Sequence, residues 1–278
     1  MSGRIARRFE ALKREGRGGL VTFLTAGDPD QATSGAILDA LPGAGADLVE
    51  LGMPFSDPMA DGPAIQAANL RALANGASLA KTLDLARAFR ARHADTPLVL
   101  MGYYNPIYIM GVERFTAVAR EAGVDGLIIV DLPPEEVDEL KDHTQRAGLD
   151  IVRLATPTSD DARLDRILDG ASGFIYYVAV AGITGTKSAD RDSIEKAVAR
   201  IRRHTKMPVA VGFGIRTPER AAEAASLADA VVVGSALVET IAHAVEAGTP
   251  ERAIETVPKL VKSLADAVRA PARAGAAS

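Results

Sequence analysis

The chain has 278 residues, of which 47% are hydrophobic and 24% are charged, and its formal net charge is -4. This balance is typical of a globular protein and lacks the basic stripe of a nucleic-acid-binding protein. The sequence has no cysteine, its four histidines have no shared metal-ligand spacing, and no apolar run approaches the roughly 20 residues that span a bilayer, so we predict no disulfide, no metal site and no membrane span.

The N-terminal segment predicts an amphipathic first helix, because Ile5, Phe9 and Leu12 recur at helical spacing. A transit peptide is disfavoured because two glutamates interrupt its basic run. Together with the lack of cysteine, this favours a cytoplasmic protein. Residues 271–278 are predicted to form a flexible tail.

Eight short apolar runs alternate with longer stretches of helical periodicity. The runs cover residues 20–24, 47–51, 98–101, 126–130, 151–154, 174–178, 209–211 and 230–233. Continuous apolar character is what a parallel strand buried on both faces requires. Eight strands, each followed by a helix, favour an α/β fold of the (β/α)8 TIM-barrel type in one domain, 1–278, with an extra N-terminal helix. An open doubly wound sheet is the structural alternative.

The loop after the second strand is the segment richest in candidate catalytic groups. Glu50 lies inside an apolar strand, where an unpaired carboxylate is costly, so it predicts a general acid/base with a raised pKa aimed into the barrel mouth. The alternative is a structural acid that bonds to neighbouring backbone. Asp61 ends a loop that is long for a β/α connection, which suggests a lid. The alternative for Asp61 is a cap of the helix that begins near Gly62.

Two glycine turns follow the last two strands, at residues 212–215 and at Gly234-Ser235. Glycine lets backbone N–H groups approach an anion, and a helix N-terminus favours negative charge. A phosphate site after strands seven and eight recurs in this barrel fold. A third candidate, at 182–187, lacks the spacing of a P-loop. Ordinary strand-to-helix turns are the alternative for the first two, and the glycines of the third are candidate hinges.

These motifs resemble those of the tryptophan synthase alpha subunit family. The matching stretches cover residues 23–29, 50–66, 101–106, 131–135, 182–185 and 212–215. The resemblance runs from about Arg4 to about Val268, and the 50–66 stretch is highly specific.

The resemblance implies an enzyme that cleaves indole-3-glycerol phosphate to indole and glyceraldehyde 3-phosphate. It implies no cofactor in this chain, and an α2β2 complex with a beta subunit that uses pyridoxal phosphate. By position, Glu50 matches the catalytic acid/base and Asp61 the second catalytic carboxylate. The remaining implied positions are Phe23, Met101, Tyr103, Tyr176 and Thr184 for substrate binding, and Gly185, Gly214, Gly234 and Ser235 for phosphate binding.

The loops at 54–61 and 179–190 match mobile loops that close the site and face the partner. The chain departs from the family at 179–181, where Ala-Val-Ala replaces more polar residues. Closure and coupling to the partner are therefore expected to differ. Thr184, which the family uses to hold the second carboxylate in the closed loop, is retained.

The chemistry of the retro-aldol cleavage explains why two acids are expected. Indole leaves poorly as a carbanion, so the ring carbon must first be protonated. One carboxyl group of near-neutral pKa can give that proton and take one from the side-chain hydroxyl, which suits Glu50. The positive charge on the ring N–H needs an anion beside it, which suits Asp61. The alternatives are another phosphosugar-handling barrel enzyme, such as an isomerase, and a partner-activating subunit with weak catalysis of its own.

Overall fold

The computed structural model describes residues 3–179, 191–212 and 214–270. Within these ranges, nine parallel strand segments belong to one sheet. They are β1 (Gly19–Thr25), β2 (Leu48–Gly52), β3 (Leu98–Gly102), β4 (Gly126–Ile129), β5 (Asp150–Ile151), β6 (Arg153–Ala155), β7 (Ile175–Val178), β8 (Val209–Gly212) and β9 (Ala230–Val233). Their order in the sheet is β5-β4-β3-β2-β1-β9-β8-β7-β6.

The two ends of this order meet in one place. Only Val152 separates β5 from β6, and its N–H donates to the Leu127 carbonyl at 2.9 Å. β5 pairs with β4, whereas β6 pairs with β7. The two segments therefore act as the fifth of eight barrel strands. This confirms the predicted (β/α)8 barrel and excludes the open sheet.

Twelve α-helices surround the strands in the described part of the chain. They are α1 (Arg4–Arg14), α2 (Gln31–Ala44), α3 (Pro63–Ala74), α4 (Leu79–Arg92), α5 (Tyr104–Met110), α6 (Val112–Glu121), α7 (Asp138–Ala147), α8 (Asp161–Leu168), α9 (Arg191–His204), α10 (Pro218–Ala225), α11 (Ser235–Glu246) and α12 (Ala253–Arg269). Short 3-10 turns precede α7 and α12. None of the described helices is long and apolar enough to cross a membrane.

Helix α1 closes the N-terminal end of the barrel, as its apolar stripe predicts. Its buried Ile5, Phe9 and Leu12 pack on the inward side chains of the strands. The rings of Phe9 and Phe174 lie 5.5 Å apart. Since this end is filled, the open face is the one at the carboxyl ends of the strands, where the site residues lie.

Candidate active site

β2 carries Glu50 at its centre, with Phe23 of β1 and Val99 of β3 as its register partners. The side chain is completely buried, and no described residue forms a hydrogen bond with either carboxylate oxygen. Burial raises the pKa of Glu50 from its usual 4.5 to about 8. The interpretation of Glu50 as a structural acid bonded to backbone therefore finds no donor within the described ranges.

Asp61 lies at the end of the β2–α3 loop and is 9% exposed. Burial raises its pKa from 3.8 to about 6, against the opposing effect of hydrogen bonds from Tyr103 and Asn69. The interpretation of Asp61 as a helix cap is wrong. The N-cap of α3 is Gly62 and no side-chain cap is formed, whereas the Asp61 Oδ2 accepts from the Asn69 Nδ2 at 3.4 Å.

The loop that carries Asp61 is tied to two rigid elements. The Tyr103 hydroxyl, just after β3, accepts a hydrogen bond from the Ala60 N–H at 3.0 Å. The Phe55 ring stacks on Tyr103 with centroids 5.2 Å apart. The Phe55 N–H donates to the Asn69 Oδ1 at 3.1 Å. These contacts hold both ends of the loop against the barrel mouth.

A cavity at the carboxyl ends of the strands brings several predicted residues together. Its lining consists of Phe23, Gly52, Met53, Asp61, Asn69, Met101, Gly102, Tyr103 and Val130. Phe23, Met101 and Tyr103 thus line the same cavity as Asp61, and their roles in substrate binding stay predictions. Glu50 lies on the strand beneath this lining.

Five lining residues are not among the predicted site residues: Gly52, Met53, Asn69, Gly102 and Val130. Val130 follows Ile128 at the two-residue spacing of one strand face, a signal that marks it as inward. Asn69 carries a different signal, because it is a polar residue among alanines, between Ala68 and Ala72. All three side chains are buried in α3.

Tyr176 lies on β7 and faces the same interior. Desolvation raises its pKa, and the nearby charges of Glu50 and Asp61 raise it further. A Cβ atom placed on Gly212 would stand 2.4 Å from the Tyr176 hydroxyl oxygen. Glycine at 212 is therefore required for the tyrosine to occupy this position.

The predicted phosphate positions fall on neighbouring turns, because β8 pairs with β9. Gly214 is exposed, with φ +73°, a conformation that glycine adopts without strain. Gly234 is the N-cap of α11, and Ser235 is its first residue. Thr184 and Gly185 lie outside the described residues. The described ranges contain no group of three His, Asp or Glu side chains that could hold a metal ion.

Comparisons with known proteins give a consistent result. Residues 9–269 match the family model described as tryptophan synthase alpha chain. A crystal structure of tryptophan synthase subunit alpha from Legionella pneumophila is 39% identical, with 96% of this chain and 99% of that chain covered at a TM-score of 0.89. A Mycobacterium tuberculosis tryptophan synthase structure is 32% identical, with 98% of this chain and 100% of that chain covered at a TM-score of 0.88.

Proposed function

Because the chain belongs to the tryptophan synthase alpha chain family, which carries the indole-3-glycerol phosphate lyase activity, we propose that Glu50 and Asp61 perform this cleavage. The products are indole and glyceraldehyde 3-phosphate. The observation that carries the proposal is the fully buried carboxyl group of Glu50, which has no hydrogen-bond partner among the described residues and a pKa raised to about 8. A second carboxyl group, Asp61, lines the cavity above it.

Glu50 begins the reaction in its protonated form, because its pKa of about 8 lies above neutrality. It gives its proton to the indole ring carbon that bears the side chain, and a ring cation forms. The resulting carboxylate takes the proton of the adjacent side-chain hydroxyl. The carbon–carbon bond then breaks, its electrons neutralise the ring, and the hydroxyl carbon becomes the aldehyde. Glu50 ends protonated, so it serves as acid and then as base.

Asp61 supplies the negative charge that the ring cation requires. Its pKa of about 6 leaves it ionised at neutral pH. An anion placed in a cavity that excludes water stabilises a developing cation more strongly than one in bulk solvent. The two acids thus differ in charge at the same pH, because Glu50 has no donor among the described residues whereas Asp61 has two.

The remaining predicted residues bind the substrate in this proposal. Phe23 and Met101 offer apolar surface to the indole ring. Tyr103 lines the same cavity and contacts the loop that carries Asp61. The turns at Gly214 and at Gly234-Ser235, together with Gly185, bind the phosphate. Phosphate binding is remote from the bond that breaks, so its role is to position the substrate.

The alpha chain is a subunit of the complex with the beta chain. We place the protein in the cytoplasm as an α2β2 heterotetramer, with pyridoxal phosphate in the beta subunit. Alpha chains of this family need no cofactor, and every proton transfer proposed above uses a side chain of this protein. We expect low activity from the chain alone and a rise on complex formation.

The test is the release of indole and glyceraldehyde 3-phosphate by purified variants, alone and with the beta subunit. Glu50→Gln keeps the shape of the side chain but has no proton to give, so kcat is expected to fall by about 10²–10⁴-fold while substrate binding survives. Asp61→Asn is expected to lose mainly kcat. Glu255→Gln, at an exposed pair on α12, is the matched control.

Turnover by Glu50→Gln at the wild-type rate would overturn the assignment of the acid/base. A rise in KM alone for Asp61→Asn would make Asp61 a binding residue and not a charge stabiliser. Rescue of either variant by the beta subunit would contradict a direct role in the chemistry, because the partner cannot replace a missing proton donor or anion.

A further inference from the structure

Asn69 is a buried amide in the wall of the cavity, and its side chain contacts the loop at two points. It lies on α3, is 4% exposed, and has the buried Ala68 and Ala72 as neighbours on the helix. A buried amide without hydrogen bonds is costly, so a polar side chain at this position requires partners. The partners it has are backbone and side-chain groups at the beginning and end of the Asp61 loop.

The orientation of the Asn69 amide follows from the chemistry of its neighbours. The Phe55 N–H can only donate, so the atom 3.1 Å from it must be the Oδ1 of Asn69. The Nδ2 then faces two acceptors, the Ile65 carbonyl at 3.0 Å and the Oδ2 of Asp61 at 3.4 Å. The opposite orientation would set donor against donor and acceptor against acceptor.

The hydrogen bond from Asn69 to Asp61 favours the ionised form of Asp61. A hydrogen bond donated to a carboxylate stabilises its charged form and lowers its pKa. Asn69 is one of the two groups that oppose the effect of burial on the pKa of Asp61. The same amide fixes the Phe55 backbone, which lies at the other end of the loop.

We propose that Asn69 is a positioning residue that keeps Asp61 ionised and aims its carboxylate into the cavity. Asn69 takes no part in either proton transfer and acts through its hydrogen bonds with Asp61 and with the Phe55 backbone. The consequence for turnover rests on the role proposed for Asp61 above, whereas the effect on the ionisation of Asp61 does not.

The test is Asn69→Asp, which has nearly the same shape. The new side chain still accepts from the Phe55 N–H, but it presents an oxygen where Asp61 now meets an N–H. The pKa of Asp61, followed by carbon-13 NMR of its carboxyl carbon, is expected to rise. In the complex with the beta subunit, kcat near neutral pH is expected to fall about tenfold or more, with the acidic limb of its pH profile moved upward and KM little changed.

Asn75→Asp is the control, because it makes the same change at the C-cap of the same helix. The Asn75 Nδ2 donates to the Pro29 and Arg71 carbonyls at 2.7 and 3.2 Å, and these contacts do not involve Asp61. The titration of Asp61 and the pH profile are expected to stay as in the wild type. A loss that Asn75→Asp shares would mark a general effect on α3.

The two proposals fail in different ways. An unchanged titration of Asp61 in Asn69→Asp would overturn the role of Asn69. A titration that moves while kcat keeps its wild-type value and profile would support the role of Asn69 and overturn that of Asp61. Should Asn69→Asp not fold, Asn69→Ser shortens the donor without adding charge, and the same upward movement of the Asp61 pKa is expected.

Discussion

The ring of Phe23 lies directly against Gly52, so that a Cβ atom on Gly52 would stand 2.7 Å from the Phe23 Cζ. Both residues line the cavity. Gly52→Ala is therefore expected to displace the ring into the space assigned to indole, with a stability loss of about 1–3 kcal/mol and a raised KM. Steady-state kinetics and urea unfolding measure the two effects.

Gly43→Ala is the control for this substitution, because a Cβ at Gly43 meets nothing within 4 Å. Alanine in a helix interior is favoured over glycine by about 1 kcal/mol, so this variant is expected to be slightly more stable with unchanged kinetics. An unchanged KM in Gly52→Ala would show that the ring can move without narrowing the indole site.

The pH dependence of the reaction follows from the two acids having opposite required forms. In the proposed mechanism Asp61 acts as the ionised form and has a pKa of about 6, whereas Glu50 acts as the protonated form and has a pKa of about 8. The kcat/KM profile is therefore expected to be bell-shaped, rising near about pH 6 and falling near about pH 8. A profile without a basic limb would contradict protonated Glu50 as the active form.

The same pKa values predict a pH dependence of stability. The pKa of Glu50 is raised on folding, from 4.5 to about 8, so the folded state holds a proton that the unfolded state releases. The contribution of Glu50 to the free energy of unfolding is full below about pH 4.5. It declines, by about 1 kcal/mol for each pH unit, as the pH rises from there to about 8. Glu50→Gln cannot titrate, so its free energy of unfolding should fall less over this range.

Urea unfolding at acidic, neutral and alkaline pH measures this difference. The gap between Glu50→Gln and the wild type is expected to widen as the pH rises and to close below about pH 4.5. Glu255→Gln, at an exposed pair, is expected to follow the wild type throughout. A gap that is constant with pH would mean that Glu50 keeps its ordinary pKa in the folded protein.

The barrel and its first acid could be predicted because burial leaves a mark in sequence. Strands buried on both faces are apolar at nearly every position, and a glutamate inside such a run stands out. Helix α2 was harder to predict, because its small and apolar residues lie on several faces and form no clear apolar stripe. The break at Val152 depends on pairing with two different neighbours, which no local pattern encodes.

The cavity wall was harder to predict than the barrel, for a related reason. Met53 lines the cavity from the β2–α3 loop, and a loop has no periodicity that reports which side chains face inward. Asn69 lies on α3, and its place in the wall depends on how the loop packs against that helix. The role of Tyr103 also changes with the structure. Its hydroxyl accepts from the Ala60 N–H, so it holds the loop as well as lining the cavity.

A partly buried ion pair anchors α3, the helix that carries Asn69, to the β1–α2 loop. Arg71 donates from Nε and Nη2 to the two carboxylate oxygens of Asp28, each at 2.8 Å, and the Asp28 side chain has no exposed surface. Burial nevertheless raises the pKa of Asp28, against the lowering effect of Arg71. The charged pair is thus held at a desolvation cost, and removal of Asp28 leaves the Arg71 guanidinium, 22% exposed, without its carboxylate.

Asp28→Ala is therefore expected to lower the free energy of unfolding by about 3 kcal/mol, and Asp28→Asn by less, because the amide oxygen still accepts from Arg71 and carries no buried charge. Asp84→Ala breaks an exposed pair, in which the side chains of Asp84 and Arg87 are 65% and 44% exposed. It is expected to lower the free energy of unfolding by only about 0–1 kcal/mol. Equal losses at the two sites, measured by urea unfolding, would show that Arg71 finds water when Asp28 is gone. In that case the anchor of α3 lies in its apolar contacts and not in this pair.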